Sequence, residues 1–156
     1  QGDEPLIDPK HIDQVAKLLE DTKADMATLC FEIDNVKDVF DLNCVKVVFD
    51  KNQKAIYFSR APIPYERDNF KLGNVQELKH KHYHHVGIYA YKAKTVLEYA
   101  AMSQTSLEIA ESLEQLRLME NGKSIAVGIC TEPPKTGVDT KEDLDRINAY
   151  LKEIEG

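Results

Sequence analysis

The segment SIAVGIC, Ser124 to Cys130, constrains this chain most. It is a short, continuous apolar run without the alternation of a strand that has one wet face, so it suits a β-strand covered on both sides. Such a strand belongs to a sheet with helices on its faces, and the rest of the chain supplies both parts. Asp8 and Pro9 make a helix start, after which Ile12, Val15, Leu18 and Leu19 fall on one face of a helix running to about Thr22. MATLCFEI, Met26 to Ile33, reads as a strand. CVKVVFD and KAIYFSR read as two strands joined at Lys51 to Gln53, and HVGIYAY, His85 to Tyr91, as another. TSLEIAESLEQLRLMENG carries a helix that opens with a Thr105/Glu108 capping box and stops at Gly122. VDTKEDLDRINAYLKEI is a last helix, capped by Thr140 and Asp143, with Leu144, Ile147, Leu151 and Ile154 as its inner stripe. The pattern predicts an α/β fold with a mixed sheet, because one strand pair looks like a hairpin.

The 156 residues contain no linker or low-complexity tract, so one domain is expected. Its 27 acidic against 20 basic residues remove the attraction that dominates nucleic-acid or anionic-membrane binding, and neither partner is expected. No stretch approaches the roughly 18 apolar residues of a membrane span, and the start lacks a secretory pattern. Cys30, Cys44 and Cys130 are odd in number, without metal-like spacing, and lie among apolar residues. They read as buried reduced thiols of a cytoplasmic protein.

Several residues need explaining. Glu114, seven after Leu107 and four after Ala110, falls near the apolar face of its helix. It is either solvated at a cleft or edge, which periodicity favours, or held by a donor. His85, Gly87, Tyr89 and Tyr91 share one strand face, with Val86, Ile88 and Ala90 on the other. That row is a half-buried strand or a polar surface on which Gly87 leaves room for a ligand. His80, His82 and His84 alternate, but no cysteine or carboxylate is spaced to complete a zinc site, and a solvated basic loop is the better account. Asp3 and Asp139 each stand in a turn before a helix, where a carboxylate caps amides or, with a partner, holds a hard divalent ion. Arg60 and Arg67 lie in FSRAPIPYERD, a proline-stiffened stretch in which guanidinium groups suit carboxylate or phosphate. The long connection from Ala61 to Lys81 has no sustained period.

Six of these stretches, in order over nearly the whole chain, resemble one family: QGDEP, VKVVFD, YFSRAPIPYERD, HHVGIYAYK, LEQLR and TGVDTKEDL. They are similar to the carboxyl-terminal portion of the 3-deoxy-manno-octulosonate (Kdo) cytidylyltransferases, or CMP-Kdo synthetases, of lipopolysaccharide synthesis. The resemblance implies a Rossmann-like nucleotidyltransferase fold of the nucleotide-diphospho-sugar transferase type, with residues 1–156 the later part of one domain. It implies a homodimer that uses Mg²⁺ to couple CTP and Kdo, giving CMP-Kdo and pyrophosphate. Carried over by motif, Asp3 and Asp139 serve metal and triphosphate and are the catalytic pair, and Gln1 lies with Asp3 in the CTP site. Arg60, Arg67, His85, Tyr89, Glu114 and Gln115 contact Kdo. The family's amino-terminal portion, with its PAR...S.R.PGK triphosphate loop, is not among these residues, so the chain reads as a fragment expected not to turn over alone. Lys92 stands where Arg is familiar and Tyr65 where Trp can occur. A cytidylyltransferase for another 2-keto sugar acid and a noncatalytic sugar-binding or dimerisation module remain as alternatives.

Overall fold

The computed structural model describes residues 6–71, 73–130, 132–133 and 141–155. Its elements run α1 (Pro9–Asp21), β1 (Met26–Glu32), α2 (Val36–Phe40), β2 (Lys46–Phe49), β3 (Ala55–Ser59), α3 (Arg67–Phe70), β4 (Tyr83–Tyr91), α4 (Ala93–Ala101), α5 (Ser106–Glu111), α6 (Gln115–Glu120), β5 (Ile125–Ile129) and α7 (Lys141–Glu155). The strands form one sheet in the order β3-β2-β4-β1-β5. β1 pairs parallel with β5, and β1–β4, β4–β2 and β2–β3 are antiparallel, so the sheet is mixed.

The apolar patterns assign the two faces. On one, Met26 and Cys30 of β1, Phe58, Ile125 and Val127 pack with Leu113, Leu116 and Leu118 from the α5–α6 segment, and Tyr89 and Tyr91 lie against them. On the other, Ala27, Leu29, Val86 and Ala126 meet Val15, Leu18 and Leu19 of α1. Ile125 to Gly128 is therefore buried, with Ile125 and Val127 on one face and Ala126 on the other, as the apolar run predicts, but Ile129 at the end of β5 is exposed. The hairpin turn is held by Asp50, whose Oδ1 accepts from Asn52 N at 2.8 Å and Lys54 N at 2.9 Å while Gln53 takes a positive φ of 61°. The turn reaches the opposite end of the sheet, where Val127 N donates to Gln53 O at 2.7 Å.

Three expectations about the helices change. The helix expected through Glu114 is broken into α5 and α6 by Ser112, which sits in the left-handed region at φ 53°. The capping box at its start is present, between Thr105 and Glu108. The inner face of α1 is rotated: Ile12 is half exposed and His11 is buried in its place, with His11 Nε2 3.2 Å from Glu132 O. In α7, Ile147 is buried, but Leu144 and Leu151 are exposed, so the expected stripe is not covered among the described residues. The side chains of Asp143 and Ile154, and Thr140, lie outside the described residues.

The connection between β3 and β4 contains only the short α3, yet it is anchored. Glu66, buried, accepts from Lys79 N at 3.1 Å, His80 N at 3.0 Å and Asn69 Nδ2 at 2.8 Å. Burial alone would raise the Glu66 pKa, but those hydrogen bonds and nearby His82 outweigh it, and the value is lowered. His82 is fully buried, with Nε2 2.9 Å from Pro64 O and Nδ1 3.1 Å from His80 O, and His84 is half-buried against Phe31. The solvated basic loop expected for this histidine row is thus confined to His80, because the other two are drawn into the packing of loop and strand. No metal-ligating group of three such residues occurs among the described residues.

Lys46 at the start of β2 is fully buried, and Nζ donates to Asp41 O at 2.7 Å, Cys44 O at 2.5 Å and Arg60 O at 2.6 Å. Burial pushes its pKa down, and the three carbonyls answer by solvating the ammonium. Replacing it, Lys46→Met, strands three main-chain acceptors; the unfolding free energy in urea is expected to fall by on the order of 3 kcal/mol.

Candidate active site

β4 carries the polar row that its alternation predicts. His85 is buried, 4.9 Å edge-on from the Phe58 ring and 5.4 Å from the Tyr89 ring, and its Nε2 lies 2.9 Å from the buried hydroxyl of Thr28. Tyr89 stands 6.0 Å from Tyr91 and donates from its hydroxyl to Gln115 Oε1 at 3.4 Å. Burial, then the neighbouring Tyr91 and the charge of Glu114, push the Tyr89 phenol well above its usual range. It is therefore a hydrogen-bonding alcohol and not a base at neutral pH. The other face, Val86, Ile88 and Ala90, packs on α1 as the period of two requires. Gly87 is exposed.

The break between α5 and α6 brings a second group to this row. Gln115, the first residue of α6, is buried, and its Nε2 has no hydrogen-bond partner among the described residues. A buried amide donor left unmatched costs about 1 to 3 kcal/mol, so this nitrogen is suited to a ligand oxygen. Glu114 occupies the N-cap position of α6, exposed, with its charge felt by Tyr89, Tyr91 and Tyr99. The turn is fixed from behind by Glu108 and Arg117, joined at 2.7 Å (Nε to Oε2) and 2.5 Å (Nη2 to Oε1), with the guanidinium 4.3 Å over the Tyr99 ring.

Arg60 is tied to the same turn. Its Nε donates to Glu111 O at 2.8 Å, Nη1 to Leu42 O at 2.9 Å and Nη2 to Ser112 O at 3.3 Å. Glu111 in return accepts from Arg60 N at 2.9 Å and Ser59 Oγ at 2.6 Å. All three guanidinium partners among the described residues are neutral carbonyls, which leaves two of the five N–H donors and the positive charge for an anion. Arg67, first residue of α3, is exposed, with no hydrogen bond or ion pair among the described residues. The structure thus brings His85, Tyr89, Gln115 and Glu114 together, holds Arg60 at the same turn, and leaves Arg67 on the β3–β4 connection. Gln1, Asp3 and Asp139 lie outside the described residues.

Thr28, Lys46 and Glu111 escape the sequence reading, and Glu108 enters it only as a capping residue, without its pairing to Arg117. A capping box marks Glu108, but nothing local marks a threonine in an apolar strand or a lysine that alternates as if exposed. Cys30, Cys44 and Cys130 are buried free thiols, and burial pushes the first two up to about 12.

The sequence pattern of the family described as "Cytidylyltransferase" matches residues 1–125. This chain belongs to the cytidylyltransferase family. It is 48% identical over 156 residues to the 3-deoxy-manno-octulosonate cytidylyltransferase of Neisseria meningitidis serogroup A, covering 99% of this chain and 61% of that protein. To the enzyme of the same name from Histophilus somni strain 2336 it is 45% identical over 159 residues, covering 99% of this chain and 62% of the relative. The cytidylyltransferase fold is matched in the solved structure of CMP:2-keto-3-deoxy-manno-octonic acid synthetase complexed with CTP, at a TM-score of 0.85 and 37% identity. That match covers 98% of this chain and 60% of the other. The chain spans about three fifths of the length of the curated cytidylyltransferases it matches.

Burial, with the neighbouring His84 adding to it, holds the His85 pKa down to about 3 from an ordinary 6.5. Between those values the unfolded chain binds a proton that the folded one does not, so stability is full above pH 6.5 and declines as pH falls. Unfolding in urea between pH 7 and 4 is expected to show this loss, at no more than about 1.4 kcal/mol per pH unit from this group, and His85→Gln to flatten the slope.

Proposed function

We propose that this chain is the carboxyl-terminal part of an enzyme that transfers CMP from CTP to Kdo, releasing pyrophosphate, for lipopolysaccharide synthesis. The observation that carries the reading is the convergence of His85, Tyr89 and the unpartnered buried amide of Gln115 beside Glu114 and the charged Arg60. A sugar acid needs many matched donors and acceptors plus a cation for its carboxylate, and this turn supplies both. The relatives supply the substrates: 3-deoxy-manno-octulosonate for the curated enzymes and CTP for the solved complex.

In this reading Arg60 and Arg67 hold the carboxylate end of the sugar, and His85, Tyr89, Glu114 and Gln115 read its hydroxyls. The anomeric hydroxyl then faces the α-phosphorus of CTP; its oxygen forms the new bond to phosphorus as pyrophosphate leaves. Transfer of this kind depends on alignment and charge neutralisation more than on covalent help from the protein. Gln1 and Asp3 belong to the CTP site. Asp3 and Asp139 have the hard oxygen donors that Mg²⁺ takes, and the ion would there neutralise triphosphate charge. The enzyme works in the cytoplasm as a homodimer, a state supported by Val96 and Leu97 on α4 and Leu107 and Ile109 on α5, all exposed apolar side chains. The 156 residues alone are inactive, since the triphosphate loop of the family is not among them.

The test is CMP-Kdo formation by the full-length enzyme. Gln115→Met is expected to raise the KM for Kdo by roughly tenfold and leave that for CTP unchanged. Asp3→Asn and Asp139→Asn are expected to lower turnover most at limiting Mg²⁺; near-normal rates there would remove both from the metal site. A preference for a different 2-keto sugar acid in a substrate panel would replace Kdo as the acceptor.

A further inference from the structure

The β1–β4 ladder changes register between Thr28 and Leu29: Thr28 lies opposite Tyr89, but Leu29 opposite Val86, so Gly87 and Ile88 are extra on β4. The bulge curls β4 around the Thr28 side chain. Its Oγ1, fully buried, lies 2.7 Å from Ile88 O, 3.1 Å from Val86 O and 2.9 Å from His85 Nε2. A carbonyl oxygen only accepts, and a hydroxyl has one proton. That proton goes to a carbonyl, with Ile88 O at the shortest contact, and the threonine oxygen meets His85 through a lone pair. Nε2 must then be the donor.

We propose that Thr28 is a positioning residue that fixes His85 as the neutral Nε2–H tautomer, leaving Nδ1 as an acceptor for a hydroxyl of the bound sugar acid. The second half rests on the substrate reading above, and the first does not. The groups around the imidazole agree: Phe58 is apolar, Cys30 lies opposite on β1 as a thiol, Tyr89 is an un-ionised phenol, and His84 is its chain neighbour. None supplies a negative charge to hold an imidazolium. The arrangement also divides labour at the site. Gln115 Nε2 offers a buried donor and His85 Nδ1 a fixed acceptor, so the sugar's hydroxyls meet complementary partners before they arrive.

The experiment is a long-range ¹H–¹⁵N correlation of the His85 ring in the full-length enzyme, with kinetics, for wild type, Thr28→Val and Thr28→Ser. Wild type is expected to show a protonated Nε2 and a bare Nδ1 at neutral pH. Thr28→Val, which keeps the shape and loses the hydroxyl, is expected to bring Nδ1–H into the spectrum and to raise the KM for Kdo about tenfold, with the KM for CTP unchanged. Thr28→Ser restores both. A wild-type Nδ1–H tautomer overturns the proposal, whatever the variants do, and so does a Thr28→Val spectrum and Kdo KM identical to wild type. Should wild type show the Nε2–H tautomer but make no product from CTP and Kdo, the tautomer assignment stands and the sugar-acid reading falls.

Discussion

The pairing of β4 with β1 is the interaction on which the rest of the structure depends. β1 joins the parallel and antiparallel parts of the sheet, with β5 on one side and β4 on the other. Because antiparallel partners face the same side, Met26, Thr28 and Cys30 set the direction of Tyr91, Tyr89 and His85. The bulge at Thr28/Leu29 adds two residues to β4, an even number, so His85 and Tyr89 remain on one face despite the shift. A single extra residue would have sent one of them into the α1 side of the sheet.

Buried polar groups then hold what the sheet does not reach. Lys46 gathers three carbonyls from the β2 approach and the end of β3, Glu66 ties the two ends of the long β3–β4 connection, and the Glu108–Arg117 pair braces the α5–α6 turn. Glu111 links that turn to the end of β3 through Ser59 and the Arg60 amide. The candidate site is therefore framed by charged side chains that each meet at least two partners, backbone or side chain, which is how irregular chain becomes rigid enough to orient a ligand.

Much of this was legible in the chain. The five described strands and the capping box carried their own signals, and the row His85, Tyr89, Tyr91 followed from the period of two in HVGIYAY. The motifs that resemble the cytidylyltransferases pointed to the family that the comparisons show. Other features were illegible for physical reasons. A helical period runs smoothly across Ser112, since nothing in SLEIAESLEQLR demands a left-handed residue, and the break follows from the anchoring of Glu108, Glu111 and Arg117 on opposite sides of it. His82 looked like a solvated charge, but its burial comes from Pro64 and Glu66, well upstream in the chain.

The sequence by itself determined the local choices, because strand alternation, capping and turn chemistry are decided within a few residues. It determined the kinds of group available to a polar ligand and the two faces of β4. Only the tertiary structure decided which of those groups meet. Gln115 reaches Tyr89 through a helix break, Arg60 is drawn to Leu42, Glu111 and Ser112, and Thr28 touches His85 through a register shift between strands far apart in the chain. Such contacts are set by sheet order and by the burial of charges that must find partners, and neither is written in any local stretch.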